Sequence, residues 1–126
     1  MLTSELTGAA LDWAVAKCEG GEGLWHDTIA THWIKINGKD RALSKGWSKA
    51  QCFTPSTDWV EGGLIIEREK ISITNSKFPW FDCGGDGWYA HIGACCSYGD
   101  TPLIAAMRCY AKSRLGDNID VPKELT

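Results

Sequence analysis

The segment DTPLIAAMRCYAKSRLG, residues 100–116, is closed at both ends by residues that fix where a helix starts and stops. Thr101 can accept a first-turn N–H, Pro102 occupies the one helical position where a missing N–H costs nothing, and Gly116 is a natural stop. Between them Leu103, Ala106, Met107 and Tyr110 recur on one stripe. A helix this apolar on one side is stable only against a surface that covers it. The chain supplies such a surface upstream: ISIT at 71–74 alternates as a strand does, and GWYAHI at 87–92 is rich in residues favoured on a pleated surface. Antiparallel pairing of the two around the loop NSKFPWFDCGGD is expected.

Two more helices are predicted. One runs from Leu11 to Glu19, with Leu11, Ala14, Val15 and Cys18 on one face, Thr7 as N-cap and Gly20-Gly21 as stop. The other opens at Trp59 in WVEGGLIIEREK, where Trp59 and Ile66 share a face. Gly62 and Gly63 cost it about 1 kcal/mol each relative to alanine, unless the pair lets another backbone approach closely. Residues 22–52 carry the weakest pattern: TIATHWIKI reads as a strand entering an Asn37-Gly38 hairpin turn, with a poorly patterned return through RALSKGW. The tail DNIDVPKELT is polar and expected at the periphery. The fold class predicted is α+β, a small antiparallel sheet packed with about three helices, as a single domain over residues 1–126.

The net charge of −3 and the absence of any Lys/Arg run argue against generic nucleic-acid binding. MLTSELTGAA lacks the basic start and apolar run of a signal peptide, and no stretch nears the roughly 20 apolar residues that span a bilayer. A soluble protein of the cytoplasm, without a membrane partner, is expected. Its six cysteines include no CxxC and are expected to be reduced. The seven tryptophans serve cores, ligand platforms and partner surfaces equally well. Most are expected to be buried, so an exposed one is a binding clue.

Cys83, His91, Cys95 and Cys96 are chemically competent zinc ligands, but the spacing fits no knuckle or ribbon, and adjacent cysteines aim poorly at one tetrahedral ion. No metal and no cofactor is expected. His26, His32 and His91 sit in no signature that would activate a cysteine, and neither a P-loop nor a dinucleotide fingerprint occurs. The glycines of CGGDGW read as a hairpin loop, and Glu61, Glu67 and Glu69 as solvent-facing. No catalytic residue emerges, so the chain is expected not to be an enzyme.

Two capped helix starts remain, PSTDW and DTPL, each presenting unpaired N–H groups and about half a positive charge. Ser56 and Thr57 add hydroxyls and Trp59 a stacking face, whereas Asp58 would repel an anion. Plain capping is the simpler reading: Pro55 blocks upstream helix, Ser56 to Asp58 cap, and Trp59 seals the first turn against the core. If the stretch binds instead, its candidates are Ser56, Thr57, Asp58 and Trp59. Trp88 of the CGGDGW loop and the cation Arg108 would then complete the pocket across a homo-oligomer.

SELTGAALDWAVAKCEG, FTPSTDWVEGGLIIEREKISI, GWYAHI and YGDTPLIAAMRCYAKSRLGD, in that order, resemble the NinX-like family of phage and prophage proteins. The resemblance covers nearly the whole chain and is weakest at 22–52 and 76–86. It implies an accessory product of temperate phages, encoded away from the capsid and tail genes, and supplies no catalytic residue. The cysteines and CGGDG depart from the family pattern. The acidic charge, small size, tryptophan excess and missing catalytic signature suit a non-enzymatic binder that modulates a host factor, a host-defence component among them. The alternatives are a protein that sequesters a small nucleotide-like ligand, and a small enzyme.

Overall fold

The computed structural model describes every residue except 30, 45, 49, 78–82 and 126. Its last helix, α3 (Pro102–Leu115), forms as its end signals predict: Thr101 Oγ1 accepts the N–H of Ile104 and the Gly116 N–H closes on Lys112 O. Leu103, Ala106, Met107 and Tyr110 are all buried, but so are Ala105, Arg108, Cys109 and Ala111. The helix is therefore covered on almost every side for most of its length. It is the element around which the rest is packed.

Helix α1 (Gly8–Cys18) lies against α3 and buries Leu11, Ala14 and Val15. Thr7 occupies its N-cap position without making a side-chain cap. Strand β4 (Ser72–Thr74) pairs antiparallel with β5 (Trp88–Ile92), Ile73 opposite Ala90, as the alternation of ISIT predicted. The sequence reading missed the third member, β6 (Cys95–Gly99), which returns along β5 through a Gly93-Ala94 turn. β5 and β6 carry the face on which α3 rests.

One sheet was expected and two are found, each three-stranded and in chain order. The other contains β1 (Glu22–His26), β2 (His32–Ile36) and β3 (Lys39–Ala42). Its β2–β3 hairpin turns on Asn37 and Gly38, with φ of 53° and 78°, the pair of positive values a tight two-residue hairpin requires. The strand foreseen over TIATHWIKI starts only at His32, because Asp27 gathers the preceding loop. Its Oδ1 accepts the N–H groups of Ile29 and Thr31, each at 3.0 Å, and its Oδ2 accepts Trp33 Nε1 at 3.0 Å. Residue 30 of that expected strand lies outside the described residues, as do residues 78–82 of the loop between β4 and β5.

One apolar core joins both sheets and all three helices, from Leu6 through Ile34, Ile36, Phe53, Ile65 and Ala90 to Ala111. No helix among the described residues is long and apolar enough to cross a membrane.

Candidate functional site

Helix α2 (Trp59–Glu69) starts where PSTDW predicted, and its start is built from contacts that no local pattern encodes. Thr54 O accepts the N–H groups of Thr57 and Asp58, which folds TPSTD into a tight turn. The buried carboxylate of Asp12, on α1, accepts the N–H of Ser56 at 2.9 Å and ties the turn to the core. From the other side Glu61 Oε2 accepts the N–H of Thr54 at 3.1 Å, while Glu61 Oε1 takes Arg41 at 2.7 Å. Burial drives the Glu61 carboxyl above its usual range in spite of Arg41.

Only Asp58 caps, accepting the N–H of Val60 at 2.9 Å. Ser56 does not: it is 2% exposed, and its Oγ has no hydrogen-bond partner among the described residues. Thr57 Oγ1 reaches Thr54 O at a long 3.5 Å. Trp59 does not seal the first turn, because it is 57% exposed. The reading of this stretch as a plain cap is therefore corrected on two counts, the idle serine hydroxyl and the solvent-facing indole. The residues buried here are instead Phe53, Thr54 and Pro55, which lead into the turn.

Trp59 stands between two concavities. On one side it lines a cleft of about 290 Å³ with Trp47, Cys52, Thr54, Thr57 and Asp58. Beyond Trp47 the aromatic surface continues onto the first sheet, where Trp47 meets Trp33 edge-on at 4.9 Å and Trp33 stacks on Trp25 at 5.7 Å. On the other side Trp59 lines a cavity of about 200 Å³ with Ser56, Thr57, Thr101, Leu103 and Ile104. The two capped helix starts, read separately in the sequence, thus meet across one cavity.

Gly62 permits this meeting. A Cβ there would lie 2.5 Å from both Leu103 Cδ2 and the Pro55 carbonyl oxygen, whereas one at Gly63 would meet nothing within 4 Å. The close approach considered for the glycine pair is real at Gly62 alone. The outer face of α2 is also apolar: Val60 and Leu64, one turn apart, are 57% and 65% exposed. The helix covers Ile65 instead, and the predicted Trp59/Ile66 face is not the buried one.

The other predicted residues lie elsewhere. Arg108 is buried and structural: Nε donates to Leu6 O at 2.8 Å, an Nη to Tyr98 O at 2.9 Å, and burial lowers its affinity for the proton. It lines neither concavity, and its guanidinium is engaged by two backbone carbonyls. Trp88 is exposed at the start of β5 opposite Gly99 and lines neither concavity. Glu61 and Glu69, expected in solvent, are both engaged. Glu69 receives Arg68 and Arg114, each at 2.8 Å, and Arg68 in turn makes a two-pronged pair with Glu19 at 2.7 and 2.8 Å.

The four residues weighed as zinc ligands are dispersed. Cys83 and Cys96 are joined as a disulfide, their Cα atoms 5.5 Å apart, which corrects the expectation that all six cysteines are reduced. Cys95 faces Cys109, whose Sγ donates to Cys95 O at 3.4 Å, and His91 Nδ1 lies 3.2 Å from Gly93 O. Among the described residues no group of three or more His, Cys, Asp or Glu is arranged to hold a metal ion.

The family model described as Bacteriophage P22, NinX matches residues 2–114, which takes in both sheets, the PSTDW turn and the start of α3. No curated protein gives a match.

Proposed function

This chain belongs to the phage NinX family, and from that premise we propose that it is a non-enzymatic binding protein of the infected cell that docks on a host protein and modulates it. The host factors in view include components of host defence. The observation that carries the reading is the outer face of α2, where Trp59, Val60 and Leu64 are each more than half exposed on a single helix. Amphipathic surface helices normally turn such residues inward. Tryptophan is among the residues that dominate protein interfaces, and a contiguous exposed apolar patch around it marks an interaction surface.

Four of the six cysteines are unsuited to nucleophilic catalysis, which favours the non-enzymatic part. Burial pushes the thiols of Cys18 and Cys109 up to about 12, so neither supplies a thiolate near neutral pH. Cys83 and Cys96 are consumed in their bridge.

The test is affinity capture from infected host lysate with tagged wild-type chain and with Leu64→Asp, followed by titration of the captured protein in purified form. A single host protein that binds wild type and loses at least tenfold in affinity with Leu64→Asp, at unchanged thermal stability, would support the reading. Equal capture by both chains would contradict it.

A further inference from the structure

We propose that the cavity between the starts of α2 and α3 binds a phosphate group, and that the ligand is a small mononucleotide-class molecule whose base stacks on Trp59. The first helix turns of a protein carry N–H groups that the helix itself cannot satisfy. At α2 the cap takes the N–H of Val60, and at α3 it takes that of Ile104. Pro102 has none. The N–H groups of Trp59 and Leu103 have no acceptor among the described residues, and both residues stand on the cavity wall. Two helix dipoles therefore direct positive ends at one space of about 200 Å³.

The independent observation is Ser56. The residue is 98% removed from solvent and its hydroxyl is unpartnered among the described residues, in a segment where Asp12 and Glu61 satisfy the neighbouring backbone groups. A buried hydroxyl without a partner is destabilising. Replacing it by alanine would avoid that cost, so its presence on a cavity wall points to an acceptor that arrives from outside. Thr101 adds a hydroxyl whose oxygen accepts from Ile104 N–H and whose proton remains to be donated, Thr57 Oγ1 already reaching Thr54 O, and no carboxylate among the described residues lines the space. The Asp58 carboxylate, the objection raised from sequence, is held by Val60 and borders the opposite cleft.

A wall of donors selects an acceptor-only anion, and the tetrahedral oxygens of phosphate can take several at once. Trp59, exposed on the rim, gives a base a face to stack on. This site shares Trp59 with the docking face, but not Val60 and Leu64, which do not line the cavity.

The experiment is thermal unfolding and calorimetric titration of the full chain with a 5′-mononucleotide, with inorganic phosphate and with the corresponding nucleoside. The mononucleotide should bind saturably, phosphate more weakly, and the nucleoside weakest. Ser56→Ala should fold at least as stably as wild type and bind the nucleotide about tenfold more weakly, the effect of one charge-assisted hydrogen bond. Thr101→Asp keeps an N-cap of equal quality, places a carboxylate at the wall, and should abolish binding of nucleotide and phosphate alike. Trp59→Ala should reduce nucleotide affinity to that of phosphate. Leu64→Asp, which breaks the docking face, should leave all three unchanged. Absence of saturable binding by both nucleotide and phosphate would overturn the proposal, as would undiminished binding in Thr101→Asp. Equal affinity for nucleotide and phosphate in wild type would overturn the stacking on Trp59.

Discussion

Two adjacent glycines in α2 should respond to the same substitution with opposite sign. Changing either to alanine gains about 1 kcal/mol of helix propensity, since alanine is the better helix former by that amount. At Gly63 nothing lies within 4 Å of the new methyl group, so Gly63→Ala should keep most of the gain and raise the melting temperature by a few degrees. At Gly62 the methyl carbon would sit 2.5 Å from Leu103 Cδ2 and from the Pro55 carbonyl oxygen. Ordinary van der Waals contact begins about 1 Å further out. Leucine can rotate away, but the Pro55 carbonyl is backbone in a turn held by Asp12 and Glu61, so α2 itself must shift. Overpacking of this kind costs roughly 1–3 kcal/mol. The net for Gly62→Ala is then a loss of up to about 2 kcal/mol, read as a fall of roughly 5–10 °C for a domain of this size. Urea or thermal denaturation of the two variants side by side measures the difference directly. If Gly62→Ala stabilises as much as Gly63→Ala, α2 does not approach α3 as described, and the cavity between their N-termini loses its basis.

Acid should unfold the chain through the cluster at the end of α2. Burial raises the Glu19 carboxyl, but hydrogen bonds from Arg68 and Tyr110 outweigh it and hold it below the usual carboxylate range; Arg68 and Arg114 do the same for Glu69. Folded values below the unfolded ones mean that this stabilisation is complete above about pH 4.5 and is lost as the pH falls further. Urea midpoints measured between neutral pH and about pH 3 should therefore drop on the acid side, less steeply in Glu19→Gln. Iodoacetamide under denaturing, non-reducing conditions should label Cys18, Cys52, Cys95 and Cys109, and label Cys83 and Cys96 only after reduction, as read by peptide mass spectrometry. In the folded chain Cys18 and Cys109 should react most slowly, their thiols being pushed up to about 12. Asp27→Ala removes the acceptor of two backbone N–H groups and of the Trp33 indole, and should lower the melting temperature with a change in tryptophan emission.

Elements whose signals are local were legible in the sequence. The Thr-Pro start and Gly stop of α3, the Asn-Gly hairpin, and the alternation of β4 need only neighbouring residues to act. β1 and β6 were not legible, because EGLWH carries a glycine and an irregular register, and because the cysteines of CCSYG invite a chemical reading where they serve as strand positions. The site was half legible. PSTDW announces where a helix begins, but which side of Trp59 is covered depends on Asp12, 44 residues before Ser56, and on Arg41, 20 residues before Glu61. The engagement of Arg108 is illegible for the same reason: its acceptor Leu6 O lies 102 residues away. That the starts of α2 and α3 share one cavity follows from Gly62 meeting Leu103, a contact between segments that carry no common pattern.

The central claim is that the exposed side of α2, and Trp59 above all, is a binding face and not a helix cap. The direct measurement is the affinity of the purified chain for its captured host protein, wild type against Trp59→Ala, with unfolding curves of both. The account predicts unchanged unfolding, since the indole covers little of the core, together with a loss of about 2 kcal/mol or more in binding, roughly thirtyfold. Unchanged affinity with a marked loss of stability would return Trp59 to the role of a packing residue and contradict the account.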